Sequence, residues 1–287
     1  MTSLQKLQQK SIEYRRMIIS MIKHSGAGHT AGSLSCVDIL NVLYNRVMNI
    51  TPENFANPFR DHYIHSKGHS VEALYVVLAD CGFFPTEELA TFSCYQSHLI
   101  GHPTRKVPGI EQNTGALGHG LSVAVGMALA AKKDGRADRV YTILGDGELA
   151  EGSSWEASMS AAHYKLDNLV VIIDRNGLQI TGKTESVMRL ESLAEKFQAF
   201  GYAVKRVNGN HVADLAEVFK SVPFEPGKPN LVLAQTTKGS GISFMENQAN
   251  WHHHVPTDEE FTLAMEELEA AEAALLQSAG VEVSQVA

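Results

Sequence analysis

An α/β architecture, with a doubly wound and mostly parallel sheet flanked by helices, is expected from three features of this chain. Short apolar runs rich in β-branched residues stop at glycine-bearing turns, as buried strands do. Segments with helical spacing of apolar residues alternate with those runs, which is the pattern of strand–helix–strand units. The 287 residues are 44% hydrophobic, enough to bury a large core. A single domain over residues 1–280 is expected, with 281–287 a frayed tail.

A net charge of −8 and a pI near 5.9, without a basic tract, argue against a nucleic-acid surface. Cys36, Cys81 and Cys94 form no metal pattern and read as buried thiols of a reducing compartment. The N-terminus has no secretory pattern and no apolar run approaches the ~18–20 residues of a membrane span, so a cytoplasmic protein away from membranes is expected.

Leu4, Leu7, Ile12, Ile18, Ile19 and Ile22 alternate with polar residues as one amphipathic helix, ended by Ser25-Gly26. A loop follows through His29 to Gly32, and Ser35 or Asp38 begins the next helix. Residues 61–65 read as a short strand ending in Ser66-Lys67-Gly68-His69, before a helix over 71–79. Ile100-Gly101-His102-Pro103 adds a third loop histidine. The glycine-rich turn at 113–120 opens a small-residue helix over 121–131, and a helix N-terminus suits an anion because its N–H groups are free.

Residues 140–182 hold the centre. Val140–Leu144 ends at Gly145-Asp146-Gly147, and 169–173 ends at Asp174-Arg175-Asn176-Gly177, with a helix over 153–164 between them. Two consecutive parallel strands deliver Asp146 and Asn176 to one sheet edge. A carboxylate and a carboxamide there are hard oxygen donors for Mg²⁺ or Ca²⁺, ions that commonly hold a diphosphate. Farther on come a helix over 191–200, a strand over 203–207, a helix over 212–220 and a strand over 230–236 ended by Lys238-Gly239. Asn250-Trp251-His252-His253-His254 lacks metal-ligand spacing. A Thr257-x-x-Glu260 capping box starts a long solvated helix to Ser278.

GDGELAEG and DRNGLQITG, with Asn176 thirty positions after Asp146, resemble the thiamine diphosphate-dependent enzymes and within them the transketolase family. Ser66-Lys67-Gly68-His69, Gly101-His102-Pro103 and the turn at Gly115 strengthen the likeness, which spans about residues 10–270. It implies thiamine diphosphate held through Mg²⁺ (or Ca²⁺ or Mn²⁺), with Asp146, Asn176 and the Leu178 carbonyl as metal ligands. It further implies that Gly115, Ala116, Leu117, Gly147, Asn176, His69 and His252 bind the cofactor. His29, His69, His102 and His252 would serve catalysis by hydrogen bonding and proton transfer to a sugar. Arg175 stands where the family often has Asn or Asp, and its side chain is expected to point away from the metal ligands.

A full transketolase is more than twice as long as this chain. The glutamate that activates the cofactor in the family lies on a further domain, so a partner subunit carrying that domain is implied, two copies of each chain. Glu151 matches a glutamate at the contact between cofactor-binding domains. The implied reaction moves a two-carbon glycolaldehyde unit from a ketose to an aldose, free or as phosphates. Alternatives are the alpha subunit of a 2-oxo acid dehydrogenase, which would lack the Ser66–His69 and Gly101–Pro103 histidines, or a non-catalytic scaffold homologue. Deoxyxylulose-phosphate synthase shares the domain within one long chain.

Overall fold

A computed structural model describes residues 1–280 of the protein, and the tail expected at 281–287 lies outside the described residues. In chain order come α1 (Ser3–Ser25), α2 (Thr30–Val42), β1 (His62–His65), α3 (Val71–Asp80), α4 (His119–Lys133) and β2 (Val140–Gly145). Next are α5 (Gly152–His163), β3 (Leu169–Arg175), β4 (Leu178–Gln179), β5 (Gly182–Lys183) and α6 (Thr184–Val187). Then follow α7 (Leu193–Phe200), β6 (Ala203–Asn208), α8 (Val212–Lys220), β7 (Asn230–Gln235) and α9 (Asp258–Ser278).

Every residue of β2 and β3 is buried, because both faces of the sheet are covered. Alternation along the strands divides the core in two. Tyr141, Ile143, Val170 and Ile172 face α1, α2, α3 and α8. Leu144, Leu169, Val171 and Ile173 face α4, α5 and α7. The five strands run parallel in the order β1-β2-β3-β7-β6, as the doubly wound expectation requires. The register pairs Gly145 with Asp174, so Asp146 and Arg175 occupy the next rung, at the carboxyl edge of the sheet.

Three expectations need correction. α2 begins at Thr30 rather than Ser35 or Asp38, since the His29 N–H donates to Glu72 Oε1 (2.8 Å) and every residue of the helix is buried. Ser33 and Ser35, inside that helix, donate to the buried carboxylates of Glu72 and Asp174. Of the cysteines only Cys36 is buried, while Cys81 is half-buried and Cys94 exposed, all three as free thiols. α9 has its Thr257–Glu260 capping box, but it is not solvated all round: Ala264 and Leu268 are buried and Glu272 pairs with Arg16 of α1. Among the described residues no helix is long and apolar enough to cross a membrane.

Candidate active site

The loops that leave β1, β2, β3 and β7 at the carboxyl edge, with the turns before α2 and α4, enclose a cleft of about 470 Å³. Asp146, Gly147, Asn176 and Leu178 line it, as do Gly115, Leu117, His29, His69 and His252. Asp146 is buried, and its carboxylate accepts from the N–H groups of Gly147 (2.8 Å) and Gly177 (2.6 Å). Burial and then Asp174 raise its pKa, against the pull of Arg175. Asn176 donates through Nδ2 to Asp174 (3.2 Å) and accepts on Oδ1 from Leu178 N–H (3.1 Å), which fixes its amide. Asp146 Oδ1 and Asn176 Oδ1 each accept one such bond and keep lone-pair capacity beyond it. A carboxylate, an amide oxygen and a main-chain carbonyl on one wall suit Mg²⁺, Ca²⁺ or Mn²⁺.

Arg175 does not point away. Its Nη1 donates to Asp146 Oδ2 (2.9 Å) and to Thr184 Oγ1 (2.6 Å), and its Nη2 donates to Glu185 (2.8 Å). The rung that follows Gly145 and Asp174 places the two residues side by side, so the guanidinium is the lateral neighbour of Asp146.

The histidines converge from four separate loops. The His29 ring lies 5.3 Å from that of His69, 6.2 Å from His102 and 5.5 Å from His252, centre to centre. His69 and His252 stack at 5.3 Å. Burial holds the His29 imidazole down at about 4, with His253 and His102 pushing the same way, and holds His252 at about 3, with Lys238 next in effect. Burial also lowers His69 well below the usual value and lowers His102. All four are therefore neutral near pH 7 and able to accept or donate a hydrogen bond. His253, to which no role fell in the sequence, comes nearest to His29, at 4.7 Å. His65 is a different case: it is buried against Tyr63 Oη and Ser70 Oγ, outside the cleft.

Gly115 takes a φ of 143°, and a Cβ there would meet His102 Cδ2 at 2.9 Å, so the turn has to be glycine. Gly115 and Leu117 line the cleft, whereas Ala116 between them is exposed. The turn runs into the free N–H groups of α4, whose N-cap Gly118 supplies no side chain. Glu151 is exposed at the start of α5 and its side chain makes no cap bond.

Two lysines went unassigned in the sequence although each follows a strand. Lys67 is buried, with Nζ donating to the Asp174 carboxylate and to Gly32 O (3.1 Å). Burial pulls Lys67 down, but Asp174 outweighs it and the pKa ends above the usual value. Lys238 Nζ donates to His252 Nδ1 (2.8 Å) and approaches Leu178 O (3.4 Å), while burial and then Lys67 bring it down to about 8. Cationic groups and free helix N–H groups beside hard oxygen donors fit a metal-bound diphosphate.

The comparisons agree with this geometry. Residues 7–273 match the family described as "Transketolase, thiamine diphosphate binding domain". The chain is 48% identical over 262 residues to one subunit of the apulose-4-phosphate transketolase of Phocaeicola vulgatus, covering 91% of this chain and 93% of that one. It is 48% identical over 269 residues to the protein of the same name from Actinobacillus succinogenes, covering 93% and 97%. The crystal structure of transketolase from Campylobacter jejuni superposes with a TM-score of 0.84 at 28% identity, over 94% of this chain and 45% of that one. The chain thus spans less than half of that solved transketolase. With the family description matched over almost its whole length and the cleft built from that family's motifs, this chain belongs to the transketolase family.

Proposed function

We propose that this chain is the diphosphate-binding subunit of a two-chain, thiamine diphosphate-dependent transketolase. It would move a two-carbon ketol unit from a ketose to an aldose, together with a second subunit that carries the remaining domains, two copies of each. The observation that carries this is the convergence of four loop histidines, with His29, His69 and His252 lining the cleft that holds Asp146 and Asn176 and His102 beside His29. The two relatives at 48% identity are named as single subunits of a transketolase, which supports the divided arrangement. Their named substrate supports a ketose phosphate related to apulose 4-phosphate as the first donor to assay.

In this reading Asp146, Asn176 and the Leu178 carbonyl hold Mg²⁺, and Gly147 N–H, the Gly115–Leu117 turn and Lys238 face the diphosphate. When bound, thiamine diphosphate supplies the electron sink for breaking and making the carbon–carbon bond. His29, His69, His102 and His252 orient hydroxyl and carbonyl oxygens of the sugar. Their neutral rings can each take up or release a proton there. We also propose that residues 1–280 form one domain and that the protein works in the cytoplasm, which its three free thiols favour.

The test is retention of cofactor by the assembled complex. Asp146→Ala is expected to abolish Mg²⁺-dependent retention of thiamine diphosphate after gel filtration, and unchanged retention overturns the ligand assignment.

A further inference from the structure

Glu148 has no part in the chemistry above, yet its carboxylate is placed where two strand-end loops meet the turn before α4. It sits in the short 3₁₀ turn Gly147–Ala150, just past the Asp146 metal-ligand position, and is 2% exposed. Its Oε1 accepts from the Ser66 hydroxyl and from Gly118 N–H (2.9 Å), and its Oε2 accepts from Gly145 N–H (3.0 Å). These donors belong to three different segments. Ser66 opens the loop that carries Lys67 and His69. Gly118 closes the Gly115–Leu117 turn and caps α4. Gly145 ends β2 and immediately precedes Asp146.

We propose that Glu148 is a positioning residue for the diphosphate: one buried carboxylate holds the Ser66–His69 loop, the Gly115–Gly118 turn and the Gly145–Gly147 turn in a single spacing. The inference rests on the cofactor reading given above and names the group that sets the distance between its anion-facing loops.

Three physical points support it. A carboxylate is an acceptor on both oxygens, so it can serve three donors at once, which no neutral side chain of its size can do. Hydrogen bonds to a charged acceptor are stronger than those between neutral groups. Two of the loops also approach too closely for looser packing: a Cβ on Gly68 would lie 2.8 Å from Gly115 N. Loops in such contact transmit a shift in one to the next.

Glu148→Gln keeps the size but gives one side an NH₂ group, which then faces Gly145 N–H or the Ser66 and Gly118 donors. Losing one charge-assisted bond is expected to weaken thiamine diphosphate binding to the Mg²⁺-loaded complex by about tenfold or more. At saturating cofactor, kcat should stay within about threefold, because the groups facing the sugar are untouched. A role in general folding alone would move the melting temperature and leave that split unseen. Should Glu148→Gln fail to fold, Ser66→Ala removes one donor from the same carboxylate and is expected to weaken cofactor binding about threefold. Cofactor affinity within twofold of the parent in a folded Glu148→Gln complex, or in Ser66→Ala when that variant decides, overturns the proposal. So does a fall in kcat at saturation with affinity unchanged. If the parent complex itself binds no thiamine diphosphate, it is the cofactor reading that fails, so the two failures are distinguishable.

Discussion

Arg175 puts a fixed positive charge 2.9 Å from the carboxylate proposed to hold a divalent cation. Like charges repel, so the guanidinium weakens metal binding while it holds the carboxylate in place. Arg175→Gln is expected to tighten Mg²⁺ binding on the order of tenfold, about 1.4 kcal/mol, measured by calorimetry on the full chain. In chelator the same variant should melt at a lower temperature, because Asp146 loses its partner. Unchanged Mg²⁺ affinity would remove Arg175 from the metal site. The four histidines were legible from their loop motifs, but the direction of Arg175 was not. Strand alternation says only that Arg175 lies on the opposite face from Asp174; the register of β2 against β3 brings it beside Asp146, and register is set by the whole sheet. Lys67, Lys238 and Glu148 escaped notice for a related reason, since each role needs a contact between 14 and 107 positions away in sequence. At this scale pH also enters. Burial lowers His29 from 6.5 to about 4, so the unfolded chain binds more protons than the folded one between those values. Its share of stability is whole above pH 6.5 and is lost as the pH falls toward 4. His29→Asn should flatten the decline in stability over that window by roughly 1–3 kcal/mol, read from urea melts at pH 7 and pH 4.5, and an unaltered slope would contradict the burial argument.

Elements were the most legible part, because period and punctuation are local. Residues 203–207 and 212–220 were expected as strand and helix, and β6 and α8 lie there. The start of α2 was hidden because its first turn, Thr30-Ala31-Gly32, has a loop-like composition and its helical state depends on the distant Glu72 carboxylate. The β4–β5 hairpin and α6 were hidden by their brevity, at two, two and four residues. The buried edge of α9 was masked by its many alanines and glutamates, which give little contrast between faces. That edge makes a testable contrast. Leu268 is 1% exposed and Leu263 51% exposed on the same helix. Leu268→Ala is expected to cost about 2–4 kcal/mol in urea unfolding. Leu263→Ala should fall within about 0.5 kcal/mol of the parent. Equal effects would mean that α9 does not dock through this face.

For the whole molecule, the sheet brings the proposed metal ligands and the histidines to one edge, and Ile180, which lines the cleft, is exposed. The chain covers 45% of a solved transketolase, and the relatives of its own length are named as transketolase subunits, in keeping with the partner chain proposed above. Glu151 separates what this chain does for itself from what it does in an assembly. Its side chain makes no hydrogen bond among the described residues, and Glu151→Gln changes neither size nor the start of α5. Exposed substitutions of this kind move stability by no more than about 0.5 kcal/mol, so the variant chain alone should melt like the parent. Mixed with its partner subunit, Mg²⁺ and thiamine diphosphate, it should lose transfer activity by about tenfold or more if the carboxylate orders an activating group across the interface. Parent-like activity in the complex would assign Glu151 to solvent, and a lowered melting temperature of the isolated chain would assign it to the fold.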